Sequence, residues 1–287
     1  MSGFKGQFED LQQVIESIHV RHIAVYGLEA CQPEETLGAV LARMEEYDID
    51  IMPVASGAQP FTAYMMREGI KQLPQTAKVR EVKHRPISVS DIVASETPLR
   101  QLVSLFQTHT QPWFFVLEGN RVEGIVTQGD LQKPAFRAYL FGLLSVLEVY
   151  LLDLIEEAYP NDEWRDLPSL PPKVWDKAEH EYGERKRRGE APSSYAEVLG
   201  LGDKLQILRH SPAWLEPLGI KAAELDLSLS SPKDWLQELY QVRNNIAHAD
   251  DLVKRIKGRW RHLYWLTERL EALVSKLQGF GPEGGGV

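Results

Sequence analysis

At 287 residues the chain is long enough for about two domains. With 43% hydrophobic and 25% charged residues it has the composition of an ordinary globular protein. The formal net charge of −9 argues against a protein that coats nucleic acid, which needs many Lys and Arg to neutralise phosphates. A local basic site is still allowed, because charges act over a Debye length of about 10 Å or less. The single cysteine, Cys31, excludes an intramolecular disulfide and a cysteine-based zinc centre. It fits a reducing, cytoplasmic setting.

The first residues lack the apolar core of a signal peptide, so none is expected. Phe8, Leu11, Val14, Ile15 and Ile18 predict a short amphipathic helix, and His22 to Tyr26 predicts a strand. Pro33 and Thr36 open a helix with Leu37, Val40, Leu41 and Met44 on one face. Ile49 to Val54 reads as a short apolar strand. Phe61 to Tyr64 follows as another, and Met65 to Gly69 begins a helix.

The same order then recurs. Ile87 to Val93 is extended, and Thr97-Pro98-Leu99 opens a helix with Leu102, Val103, Leu105 and Phe106. Trp113 to Leu117 is an apolar strand, Gly119-Asn120 a turn, Val122 to Val126 the next strand, and Asp130-Leu131 the start of a helix. Two copies about 65 residues apart predict an internal repeat. Each copy is too small to bury its own sheet, so the two are expected to pack together.

The run Gly124-Ile125-Val126-Thr127-Gln128-Gly129-Asp130-Leu131 resembles the end of a CBS repeat. Such repeats pair into a module that often binds adenine nucleotides. The resemblance implies that the Thr127 hydroxyl meets a phosphate and Asp130 accepts from ribose hydroxyls of AMP, ADP, ATP or a related nucleotide. The first repeat departs from the pattern: Thr62 keeps the threonine, but Met65 stands where the aspartate belongs. At most one working cleft is therefore expected. Thr127 and Asp130 equally suit a purely structural cap on the following helix.

Lys133-Pro134 marks the domain boundary. Phe136 to Tyr159 predicts a long helix that is apolar nearly all round. It is long enough to raise the question of a membrane, but Arg137, Glu148 and Asp153 are expensive at membrane depth. A buried bundle helix is expected, with no membrane partner. Pro160 to Pro172 is a polar connection, Val174 to Arg188 a charged helix, and Tyr195 to Leu208 a further helical segment. Pro212 to Ile220 is irregular, and Ser231-Pro232 begins a helix. Leu252, Ile256, Leu263, Leu266, Leu270, Leu273 and Leu277 give a last helical stripe. The expected architecture is an α+β domain over 1–134, an all-α bundle over 135–278 and a disordered glycine-rich tail over 279–287.

Arg243, Asn244, Asn245 and His248 crowd into six residues. On a helix Asn244 and His248 share a face, whereas Arg243 and His248 lie roughly 140° apart. One copy makes a meagre site, and two copies at a two-fold axis make a richer one. Histidine is suited to general acid–base work near neutrality, and arginine to holding and stabilising a phosphate. Together they suit cleavage of RNA through its own 2′-hydroxyl. No metal is needed, and His180, His210, His248 and His262 lack a carboxylate or thiol ligand pattern around them.

Arg243-Asn244-Asn245-Ile246-Ala247-His248, inside an all-α domain, resembles the signature of the HEPN superfamily. The resemblance covers roughly 136–278. It implies a homodimeric, metal-independent endoribonuclease of a toxin–antitoxin, phage-defence or RNA-processing kind. Arg243 would bind phosphate, His248 would act as general acid–base and Asn244 would orient. It equally implies that some members serve only as dimerisation or binding modules, and a plain structural role stays open. Lys254, Arg255, Lys257, Arg259 and Arg261, interleaved with Trp260, His262, Tyr264 and Trp265, offer a surface for an RNA partner, or else an ordinary solvated helix face.

Overall fold

A computed structural model describes residues 11–55, 57, 61–211, 235–247, 252 and 260–278. The chain divides into two compact units: Ser17–Phe136, and Met1–Glu16 together with Arg137–Val287. The N-terminal segment thus groups with the helical part rather than with the sheet-containing part. Ile15 explains this. It is buried, and its Cγ1 lies 2.6 Å from where a Cβ on Gly142 would stand. Glycine at 142 lets the short helical stretch over 11–16 lie close against the long helix that carries it.

Within Ser17–Phe136 the first repeat supplies α1 (Leu37–Glu46), β2 (Ile51–Pro53), β3 (Ala63–Met66) and α2 (Arg67–Lys71). The second supplies β5 (Ile92–Ala94), α3 (Leu99–Thr108), β6 (Trp113–Glu118) and β7 (Arg121–Thr127). Thr36 caps α1, its side chain accepting from the Ala39 N–H. Gly119 takes φ +61° and lets β6 turn tightly into β7.

The two sheets are completed by exchange. β1 (Val25–Tyr26), which precedes the first repeat, pairs antiparallel with β7 of the second. β4 (Arg85–Pro86), which precedes the second repeat, pairs antiparallel with β3 of the first. The sheet orders are β1-β7-β6-β5 and β2-β3-β4. The expected strand over His22 to Tyr26 shrinks to Val25–Tyr26, because Val20–His22 winds into a 3-10 turn.

Alternation along β6 explains the layers. Trp113 and Phe115 face the other sheet and join Ile51, Tyr64 and Val122 in one buried cluster. Tyr64 meets both Trp113 and Phe115 edge-on, at 5.1 and 5.6 Å between ring centroids. Phe114, on the opposite face, packs on Phe106 of α3. On the first repeat, Leu37, Val40 and Met44 of α1 cover Met52, Met65 and Cys31. The two repeats therefore share a core, as their size requires.

In the helical unit, α4 (Pro134–Ala158) is long and apolar enough by composition to cross a membrane, and half of its most apolar window is buried. Its buried side chains include Leu140, Leu144, Leu147, Leu151 and Ile155. Glu148 on this helix meets Lys204, only 3% exposed, at 3.6 Å. α5 (Pro172–Arg187) contributes Val174 and Ala178, and α6 (Leu201–Arg209) contributes Ile207, to a cluster around Trp164. α7 (Trp235–Ala247) and α8 (Trp260–Gln278) follow. The leucine stripe of α8 is buried at Leu263, Leu266, Leu270, Leu273 and Leu277. The irregular stretch expected over 212–220 and the tail over 279–287 lie outside the described residues.

Candidate functional site

Thr127 ends β7 directly opposite Trp113, and Asp130 sits one 3-10 turn later, 8% exposed. The Asp130 carboxylate turns back onto the strand end. Its Oδ2 accepts from the Thr127 N–H at 2.7 Å and from the Thr127 hydroxyl at 2.9 Å. Its Oδ1 faces Lys133 Nζ at 2.9 Å. Lys133 Nζ also donates to the Ile23 carbonyl at 2.6 Å. Two residues expected to act on a ligand are thus brought into direct contact, and they cap the turn between them.

The same cap recurs nearby. Asp91, 7% exposed, accepts from the Ser88 N–H at 2.8 Å and the Ser88 hydroxyl at 2.7 Å. A structural role therefore explains the hydrogen bonds of Asp130 to Thr127. It does not explain Lys133, which has no counterpart three residues beyond Asp91, where Ala94 stands. In the sequence Lys133 reads only as part of the domain boundary, although its i,i+3 spacing from Asp130 is a usable signal.

Gly124 has a specific task in this corner. A Cβ there would lie 2.8 Å from the Val25 carbonyl oxygen and 3.2 Å from Tyr26 Cδ1. Only glycine lets β1 pair across β7 at that position.

The register corrects the expectation for the first repeat. Ile51, Met52 and Pro53 pair with Met66, Met65 and Tyr64. Trp113, Phe114 and Phe115 pair in the same sense with Thr127, Val126 and Ile125. Met66 is therefore the counterpart of Thr127, and Gly69 of Asp130; Thr62 and Met65 are not. Neither Met66 nor Gly69 offers a hydroxyl or a carboxylate, so the first repeat lacks the polar pair altogether.

In the helical unit Arg243 and Asn244 are half-buried on α7, and Arg243 Nη1 donates to Asn244 Oδ1 at 3.4 Å. Asn245 is buried at 3% exposure. His248 lies outside the described residues, as do Lys254, Arg255, Lys257 and Arg259 of the basic run. Of the aromatic residues in that run, Tyr264 is fully buried and belongs to the core. Trp265 is covered by Arg269, 4.4 Å from the ring centroid, and stacks with His262. His262 Nε2 meets Glu238 Oε2 at 2.7 Å and ties α8 to α7. Trp260 and Trp265 are half-buried.

One cleft of about 270 Å³ lies in the helical unit, lined by Ile155, Glu156, Tyr159, Asp162 and Ser194 among others. Asn161 and Asp162 both take the left-handed conformation there. Asp162 is committed to structure, accepting from Trp164 Nε1 at 3.0 Å and from the Tyr195 N–H at 3.2 Å. Ser194 likewise donates to Glu156 at 2.6 Å. Among the described residues no group of three or more His, Cys, Asp or Glu is arranged to hold a metal ion.

Residues 79–134 match the family model of the CBS domain. Solved structures similar to this chain include an uncharacterized conserved protein from Pyrococcus horikoshii, 16% identical over 40% of this chain and 90% of that one, with a TM-score of 0.35. A hemolysin-like protein containing a CBS domain, from Oenococcus oeni, is 17% identical over 43% and 94%, with a TM-score of 0.34. A CBS domain-containing protein of unknown function from Bacillus anthracis is 15% identical over 42% and 94%, with a TM-score of 0.35. No curated protein matches the chain. The chain thus carries a CBS domain, which suggests regulation by nucleotide sensing, followed by a helical C-terminal part.

Proposed function

We propose that this protein is a cytoplasmic, homodimeric nucleotide-sensing regulator whose CBS domain binds an adenine nucleotide such as AMP, ADP or ATP at Thr127 and Asp130. Asp130 accepts from ribose hydroxyls, and the Thr127 hydroxyl, donating to Asp130 Oδ2 at 2.9 Å, holds that carboxylate toward them. The observation that carries this is the buried Asp130 carboxylate at a strand end inside the CBS match, held by a lysine that capping does not require. A carboxylate suits a vicinal diol because it can accept two O–H donors. Titration calorimetry with AMP, ADP and ATP is expected to give binding that Asp130→Ala removes. No heat and no thermal shift with any of the three would overturn the proposal.

A second reading concerns the output. Arg243 and Asn244 are neighbours on α7, half-buried and hydrogen-bonded to each other, in a helical part of the chain. This supports a HEPN-like, metal-independent endoribonuclease acting as a homodimer, with Arg243 on phosphate, Asn244 orienting and His248 as general acid–base. The nucleotide would bias its activity by binding two arrangements with different affinity. In the alternative, the helical part is a non-catalytic interaction module. Cleavage of single-stranded RNA in the presence of a chelator, lost in Arg243→Ala and His248→Ala, is the expected result for the enzyme. RNA left intact from pH 5 to 9 would favour the interaction module.

A further inference from the structure

We infer that Lys133 is an internal competitor for the ligand of Asp130, and that occupancy of Asp130 releases the Ile23 carbonyl from Lys133. This inference rests on the nucleotide reading above. A carboxylate offers about four acceptor positions. Oδ2 of Asp130 already takes the Thr127 N–H and hydroxyl, and Oδ1 takes Lys133. A ribose diol brings two O–H donors, so bidentate recognition must displace a donor already present. The two Thr127 bonds close the turn and one of them satisfies a backbone N–H, which is costly to orphan. Lys133 is the donor that can leave. Its side chain is 36% exposed, against 10% for Asp130, so its ammonium rehydrates on release.

Departure of Lys133 has a consequence, because the same ammonium holds a second segment. Its other acceptor is the Ile23 carbonyl, between the Val20–His22 turn and β1. Lys133 also precedes Pro134, the first residue of α4, and proline holds it extended at φ −66° and ψ 153°. One ammonium therefore bridges the segment entering this unit and the segment leaving it, through the carboxylate that a ligand would take. A ligand on Asp130 trades this bridge for its own hydroxyls, so binding and release of Ile23 are linked.

The test uses the full chain and AMP as probe, with Lys133→Met to remove the competitor and Lys133→Arg to keep a cation. Calorimetry is expected to show AMP binding to Lys133→Met tightened roughly tenfold over wild type, as loss of one charged hydrogen-bond competitor implies. Lys133→Arg stays within about threefold of wild type on the same grounds. Amide exchange at Ala24 and Val25 is expected to quicken on adding AMP to the wild type. In Lys133→Met it is fast from the start and insensitive to AMP. Tightened binding to Lys133→Met, with wild-type exchange quickened at saturating AMP, supports the inference; tightened binding with that exchange unmoved overturns the release of Ile23. Wild-type binding with Lys133→Met equal or weaker overturns it while leaving the nucleotide reading standing. Absence of AMP binding in all three proteins overturns both.

Discussion

Asp130 and Asp91 make the same pair of hydrogen bonds to the residue three positions earlier, yet only Asp130 carries the lysine. Replacing each by alanine separates capping from ligand binding. In both variants two bonds to a buried carboxylate are lost, and a backbone N–H loses its acceptor. Capping substitutions of this kind cost about 0.5–2 kcal/mol, and an orphaned buried donor adds about 1 kcal/mol. The unpaired Lys133 adds little, being exposed enough to be screened. Each variant should therefore lose about 2 kcal/mol, or roughly 8 °C in Tm for a unit of this size. Scanning calorimetry measures the first quantity, and titration with AMP the second. Asp130→Ala is expected to lose AMP binding, whereas Asp91→Ala keeps it at a temperature where both are folded. If Asp130→Ala still binds AMP as the wild type does, the carboxylate is a cap and nothing more. If both variants lose binding alike, the loss comes from destabilisation and the assignment of Asp130 fails.

Other consequences are more local. Gly124→Ala puts a methyl 2.8 Å from the Val25 carbonyl, an overpacking that costs about 1–3 kcal/mol. Urea denaturation should show that loss, with faster amide exchange in β1, and unchanged stability would contradict the close approach. Cys31 is fully buried, and burial raises its thiol pKa to about 11. It should react with a thiol reagent at pH 8 only after unfolding, so rapid labelling of the native protein would be inconsistent with this core. Burial pulls the Lys204 pKa below its ordinary value, although Glu148 at 3.6 Å opposes the shift. The folded protein then releases this proton at lower pH than the unfolded chain does. Its contribution to stability is therefore fully present above the ordinary lysine value and is lost as pH falls through the lowered one. Lys204→Met should flatten the rise of urea-measured stability between pH 8 and 11; an identical slope in both proteins would contradict the assignment.

Elements set by local chemistry were legible in the sequence. Thr36 announces the start of α1, the apolar run from Trp113 announces β6, and Gly119 announces the turn into β7, because each acts through its own neighbours. The exchange of β1 and β4 between repeats was not legible. Both strands are two exposed residues long, and their partners lie far along the chain, so no periodicity betrays them. The alignment of the first repeat slipped for a related reason. Thr62 mimics the threonine of the motif, but only ladder pairing shows that Met66 occupies that place. At the candidate site, Thr127 and Asp130 could be named from their pattern, whereas Lys133 gains its meaning from the Ile23 carbonyl, which sequence spacing cannot reveal. In the helical part, spacing alone put Asn244 with His248. Within the described residues Asn244 accepts from Arg243, a contact between sequence neighbours that a helical wheel does not anticipate, while His248 lies outside them.

The first repeat offers a way to check the equivalence of the two strand ends by gain rather than loss. Met66 ends β3 with no side chain capping the turn that follows, and Gly69 stands exposed with open space where a Cβ would stand. An aspartate at 69 occupies the place that Asp130 has relative to Thr127. Its carboxylate can accept the Met66 N–H as Asp130 accepts the Thr127 N–H at 2.7 Å. Replacing a helical glycine gains a few tenths of a kcal/mol, and the new cap adds about 0.5–1 kcal/mol. Gly69→Asp is therefore expected to stabilise the protein by about 1 kcal/mol in urea denaturation. AMP stoichiometry should stay at one per chain, since Met66 supplies no hydroxyl for a second site. Destabilisation by Gly69→Asp would show that the two strand ends are not equivalent. Two AMP molecules per wild-type chain would show that the polar pair at Thr127 and Asp130 is not what selects the site.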